Sequence, residues 1–153
     1  MKIVDYLSEN DVISRLNASS REGVIKEMVD HLNQSGKIDD PEKLVSILLD
    51  REMLGSTGIG HGVAIPHGRL SGLNEILLVF GRSPDGVDFD AHDGEPVNLF
   101  FLLVAPEDSA GLHLKTLARI SRIVKNPECR KTLLGTDDRD KLYHTIEEED
   151  QRH

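Results

Sequence analysis

The sequence predicts an α/β sandwich, a central mixed β-sheet flanked by helices. Two observations carry this. Near-continuous apolar runs, "EILLVFGRS" and "VNLFFLLVA", sit mid-chain and read as strands covered on both faces, because neither face meets water. Segments with helical hydrophobic spacing lie before and after them, so the order is helix, helix, strands, helix, helix.

Each element has its own local reason. Val24, Ile25, Met28, Val29 and Leu32 recur near a 3.6-residue period, which predicts an amphipathic helix over 20–33. "SGKIDD" breaks it. Asp40 can cap the next helix, with Pro41 at the first helical position, where a missing N–H costs nothing. Leu44, Ile47 and Leu48 form one face of that helix, which runs into Arg51 and ends before Gly55. "GVAI" at 62–65 reads as a short strand. The connection between the two long runs, "SPDGVDFDAHDGEPV", is dense in turn formers, with D-G twice. Ser109 is expected to cap a helix over about 110–125, and Pro127 to open a short one that stops near Gly135. Thr136 or Asp137 is expected to cap a last helix over about 138–148.

The 153 residues show no internal repeat, low-complexity segment or Pro/Ser-rich linker, so one domain is expected over 1–153. Lys and Arg total 18 against 27 Asp and Glu, a formal charge of -9. Such a surface disfavours nucleic acid and anionic membranes, whose binding depends on Lys and Arg; it favours a basic protein partner or serves only to keep the protein soluble. The N-terminus lacks the apolar stretch of a signal peptide, and "VNLFFLLVAP" is far short of the roughly 18 residues of a membrane span. A cytoplasmic location without membrane insertion is expected. The single cysteine, Cys129, rules out a disulfide framework or a Cys-based zinc cage within one chain, and no histidine pair has H-E-x-x-H spacing. No metal and no cofactor is expected.

The chemistry concentrates in "LGSTGIGHGVAIPHGRL", residues 54–70. Gly55 and Gly60 have the spacing of a nucleotide P-loop, but His61 and Gly62 stand where its lysine and hydroxyl residue belong. A G-x-G-x-x-G reading fails at Val63. Backbone N–H groups of the loop could still hold a phosphoryl group or let a partner approach. Pro66 biases Ile65 to stay extended and mounts His67 rigidly at a strand end. A neutral imidazole nitrogen there can attack phosphorus. The same position equally suits a histidine that only bonds a backbone carbonyl. His113 opens the "GLHLKTLARISRIVKN" helix on a stripe with Leu117, Ile120 and Val124, where the helix N-terminus disfavours its protonation and favours an anion. A buried core histidine satisfies the same pattern. Arg51 can pair bidentately with phosphoryl oxygens, or simply complement its helix C-terminus. His61 is expected at the rim of the site, without a catalytic part.

Taken with Arg51, "LGSTGIGHGVAIPHG", "VDFDAHDGEPVNLFFLLVAPE" and "HLKTLARIS", the chain resembles the fructose/mannitol-type enzyme IIA domain of the bacterial phosphoenolpyruvate-dependent phosphotransferase system. Within that family it most resembles the free-standing nitrogen-regulatory enzyme IIA, over roughly residues 5–148. The resemblance implies that His67 accepts a phosphoryl group, on the ring nitrogen remote from the backbone, from a small HPr-like histidine phosphocarrier protein. It further implies that His113 and Arg51 contact the phosphohistidine, and that targets are regulatory proteins or a IIB protein. A sugar-specific IIA and a binding module that has lost transfer remain alternatives. The glycine loop is then expected to admit the donor's backbone and shape a shallow phosphoryl pocket.

Overall fold

The computed structural model describes residues 1–153. Two single-turn 3₁₀ helices, Ile3–Asp5 and Glu9–Asp11, lead into β1 (Val12–Ile13). Then come α1 (Arg21–Gln34), α2 (Pro41–Met53), β2 (Gly58–Gly60), β3 (Val63–Ala64) and β4 (His67–Leu70). The long strands β5 (Leu77–Val87) and β6 (Val97–Pro106) follow, and α3 (Ala110–Lys125), α4 (Pro127–Leu134) and α5 (Arg139–Gln151) complete the chain.

The strands make one mixed sheet, ordered β1-β5-β6-β3-β2, with β4 also paired to β6. β5 and β6 are antiparallel, whereas β1 runs parallel to β5, and β3 and β4 run parallel to β6. One face carries α1 and α2 over a core with Met28, Leu32, Leu48, Phe89 and Phe100. The other carries α3, α4 and α5 over Phe80, Phe101, Ile120 and Leu142. Every residue of β6 except Asn98 is buried, as expected of a central strand covered on both faces.

The helix starts follow local chemistry. Ser20 accepts from Gly23 N–H at the head of α1, and Asp40 accepts from Lys43 N–H with Pro41 behind it. Two caps differ from expectation. Ser109 holds the N-cap position of α3, but its hydroxyl donates to Pro106 C=O at 2.7 Å and caps nothing. Asp138, not Thr136 or Asp137, caps α5 by accepting from Asp140 N–H; Thr136 instead accepts from Asp138 N–H.

The sheet also departs from the expected strands. β5 runs on to Val87 through "SPDGV", which turn chemistry assigns to a loop. Its register against β6 shifts between Arg82 and Val87, and the Asn98 amide donates to the carbonyls of Ser83 and Pro84. A side chain from the next strand thereby replaces ladder bonds that Pro84 and the bulge cannot make. β1 and the two 3₁₀ helices carry too little periodicity to be visible locally. They are pinned from afar: buried Asp11 takes Ser8, His31 and Lys37, and buried Asp150 takes Val4 N–H and Arg119. Arg82, also buried, donates to Ser14, Leu133 and Leu134 carbonyls, which neutralises the C-terminal end of α4.

Candidate functional site

His67 is at a strand end, as the first residue of β4 rather than at the exit of the strand before it. β3 pairs with β6 at Leu99 and Phe100, β4 pairs with it at Leu103 through Pro106, and Pro66 C=O accepts from Leu103 N–H between them. The two strands are therefore one extended path interrupted at Ile65–Pro66, and His67 begins its second half. Pro66 suits that gap because it has no N–H to donate. Ile65 lies just past β3, with its N–H donated to Thr57 C=O.

Side chains alternate along this path. Ala64 and Leu70 enter the α1/α2 core and Val63 and Ile65 the opposite one, so His67 and Arg69 face α3 and residue 68 faces α2. Glycine at 68 is required by packing: an added Cβ would lie 2.9 Å from Ile47 Cγ2 and 3.4 Å from Leu48 Cδ2. That close approach brings the C-terminal turn of α2 alongside β4. The outer edge of β4 carries no further strand, and there α2 and the start of α3 enclose a cleft of about 630 Å³. Arg51, His67, Arg69 and His113 line it together with Leu54 and Leu114. The three residues singled out from sequence thus converge, from a helix, a strand and a second helix.

The imidazole of His67 is half-buried rather than exposed, and its Nδ1 lies 2.8 Å from Ile65 C=O. A carbonyl accepts only, so Nδ1 carries the proton and the lone pair resides on Nε2. Burial holds the ring below its usual pKa of 6.5. The carbonyl bond opposes this, the Arg51 charge adds to it, and Glu52 acts against it. His67 is accordingly neutral, and nucleophilic at Nε2, at neutral pH.

His113 packs edge-on against His67, with ring centroids 5.3 Å apart at 79°. It is 7% exposed, and its Nε2 is the one buried side-chain polar atom with no hydrogen-bond partner. Burial, then the charges of His67 and Arg69, push its pKa down to about 4. Burial rather than the helix terminus is the larger cause. The N-terminus of α3 still faces the cleft at Ala110, with no side chain capping its first turn. Arg51 donates from Nη1 to Gly55 C=O at 2.9 Å and remains free of any carboxylate partner.

Arg69 was missed by sequence reasoning, although the strand period in "HGR" places it two residues from His67 on the same face. Buried Glu52 was missed as well. Two readings of the glycine loop are overturned. Gly55 precedes the β2–β3 hairpin, and its C=O accepts from Arg51. Gly58, Gly60 and Gly62 do not line the cleft; they belong to the hairpin, which is on the same side of β6 as β4 but alongside Leu99 and Phe100. Gly60, His61 and Gly62 take φ of 96°, 57° and 76° in its turn, a left-handed run that glycine makes accessible. The 88–95 connection covers that hairpin, with His92 N–H on Gly58 C=O and His61 N–H on Asp93. His61 is not at the rim of the site either. It lies over a separate depression with Arg122 and Lys125, because the hairpin carries it to the C-terminal half of α3.

This site stands on a fold with known relatives. The family model for the phosphoenolpyruvate-dependent sugar phosphotransferase system, EIIA 2, matches residues 5–149, and the chain belongs to that family. It is therefore a phosphotransferase component of the class that carries phosphate on histidine. The chain is 37% identical over 150 residues to the "PTS system fructose-specific EIIABC component" of Bacillus subtilis, spanning 98% of this chain but only 24% of that longer protein. It is 35% identical over 147 residues to the "Nitrogen regulatory protein" of Bradyrhizobium diazoefficiens, with 95% of each covered. The structure of nitrogen regulatory protein IIA-Ntr from Neisseria meningitidis superposes with a TM-score of 0.87 at 30% identity, covering 94% of this chain and 98% of that one. No helix is long and apolar enough to cross a membrane.

Proposed function

We propose that His67 is the phosphoryl acceptor and that a small histidine phosphocarrier protein is its donor. The observation that carries this is the Nδ1 bond to Ile65 C=O, which leaves the Nε2 lone pair free in a cleft between two arginines. In the transfer, Nε2 attacks phosphorus in line as the N–P bond on the donor's ring breaks, and the donor histidine recovers its electron pair. Arg51 and Arg69 balance the phosphoryl charge. The uncapped first turn of α3 offers N–H groups, and the unpartnered His113 gains a phosphoryl oxygen as partner. No group in this scheme is a metal or cofactor. Exposed Met53, Leu54 and Leu114 surround the cleft with apolar surface for a flat docking contact, and the -9 charge suits a donor that is basic around its histidine.

Residues 1–153 then act as one IIA unit in the cytoplasm, where phosphoenolpyruvate is made, and the phosphorylation state of His67 is what target proteins read. The regulatory assignment draws on relatives named as nitrogen regulatory proteins that match along nearly their full length. Transfer onward to a IIB protein is the second reading, favoured by the fructose-specific relative. Intact mass after incubation with phosphoenolpyruvate, enzyme I and a histidine phosphocarrier, beside His67→Ala, tests the site. One acid-labile phosphoryl group in the wild type alone is expected. Acceptance by His67→Ala at the wild-type rate would overturn the assignment. Loss of the label to an added fructose- or mannitol-type IIB protein would select the second reading.

A further inference from the structure

Glu52 is 3% exposed, yet its partners are Thr57 N–H, at 3.1 Å, and the Thr57 hydroxyl, with no cation among them. It stands next to Arg51 and one helical turn beyond Leu48, the residue that packs on Gly68 beside His67. The last turn of the helix thus carries two opposite charges side by side. Arg51 lines the cleft, while Glu52 is buried and held by Thr57 in the loop that follows the helix. The other charged or titratable groups around His67 are Asp50 on α2, Arg69 on β4 and His113 on α3. A chain of hydrogen bonds joins the carboxylate to the imidazole: Glu52 accepts from Thr57 N–H, Thr57 C=O accepts from Ile65 N–H, and Ile65 C=O accepts from His67 Nδ1–H. Along that path Glu52 sets a negative charge behind His67, opposite in sign to Arg51 at the cleft.

We propose that Glu52 is a positioning residue whose buried negative charge offsets Arg51 at His67, so that the phosphoryl group is held less tightly and is readily passed on. This rests on His67 being the acceptor. A phosphorylated ring brings about two negative charges into the cleft. Arg51 attracts them and Glu52 repels them across a poorly solvated interior, where charges interact more strongly than in water. The carboxylate therefore lowers the phosphorylated fraction at equilibrium with the donor, while its bonds to Thr57 keep the loop in place. A neutral side chain there would leave a larger share of the phosphoryl groups on His67.

Glu52→Gln is the direct test. Its amide oxygen can accept from Thr57 N–H and its NH₂ can donate to the Thr57 hydroxyl, so the loop anchor survives while the charge goes. Thr57→Val serves as control, since it removes the hydroxyl and keeps the charge. NMR titration of His67 in the unphosphorylated proteins should move down in Glu52→Gln by roughly 0.5 pH unit, about threefold in proton affinity, and stay in place in Thr57→Val. At equilibrium with a phosphorylated carrier, the ratio of phosphorylated to free protein should rise roughly threefold in Glu52→Gln. An unmoved titration, an unchanged ratio, or an equal shift in Thr57→Val would each overturn the proposal. If the wild type took no phosphate, the acceptor assignment would fail by itself, and the titration would still report on the charge of Glu52.

Discussion

Replacing His113 with leucine should change how stability depends on pH. His113 is 7% exposed, its Nε2 has no partner, and its pKa is pushed from 6.5 down to about 4. The unfolded chain therefore binds a proton at this residue below pH 6.5, whereas the folded protein binds it only near pH 4. Stability contributed by the neutral ring is intact above pH 6.5 and is progressively lost as pH falls from 6.5 to about 4. That interval of about 2.5 units, at about 1.4 kcal/mol each, amounts to about 3 kcal/mol. His113→Leu removes this linkage and the orphaned nitrogen together. At pH 7.5 the variant should be at least as stable as the wild type, and by pH 4.5 the wild type should have lost about 2–3 kcal/mol more. Urea denaturation at half-unit steps from pH 7.5 to 4.5 measures the difference, with Asp11 and the remaining carboxylates common to both proteins. Parallel stability curves across that range would refute the account of His113 as a neutral residue held by burial.

Two further perturbations probe how the site is built. Gly68→Ala puts a Cβ 2.9 Å from Ile47 Cγ2, so Ile47 must turn away or α2 must shift, with an expected loss of about 1–3 kcal/mol in urea unfolding. A loss under about 0.5 kcal/mol would mean that the α2–β4 approach is slack. Asp11→Asn tests the N-terminal pin: burial raises the Asp11 pKa, but bonds from His31, Lys37 and Ser8 outweigh it and bring the value down to about 2. Its contribution is present above the usual value of 3.8 and lost as pH falls through about 2, so the variant should be about 2 kcal/mol less stable at pH 7. That gap should close in acid, and a gap that persisted at pH 2 would indicate lost packing rather than lost charge.

How much of this was legible beforehand differs by residue. The five α-helices were readable because period, cap and Pro or Gly punctuation are local properties, and so were the two long strands, whose apolar runs exceed what a half-exposed strand carries. β4 was hidden by its composition: "HGRL" has no strand pattern of its own and is extended only because β6 offers it partners. β1 was hidden for the same reason beside β5.

The glycine loop marks the boundary between sequence and tertiary structure. Its density of glycine signalled a special backbone, and His67, His113 and Arg51 were each suspect from residue type and neighbours. What Gly58, Gly60 and Gly62 serve is a hairpin beyond the first half of the β3–β4 path, under the 88–95 connection. The cleft instead is lined at β4 by Gly68 and Arg69, and the close approach of α2 depends on Gly68. Local sequence determines what each residue can do: which imidazole is mounted rigidly, which helix end is positive, which arginine is near a turn. Only tertiary structure decides which tautomer His67 adopts, which histidine is kept neutral and which charges reach it. Burial and through-space charge set those properties together with a carbonyl two residues away; the first two depend on how segments distant in the chain are packed, and the third on the extended path that β6 imposes on Ile65–His67.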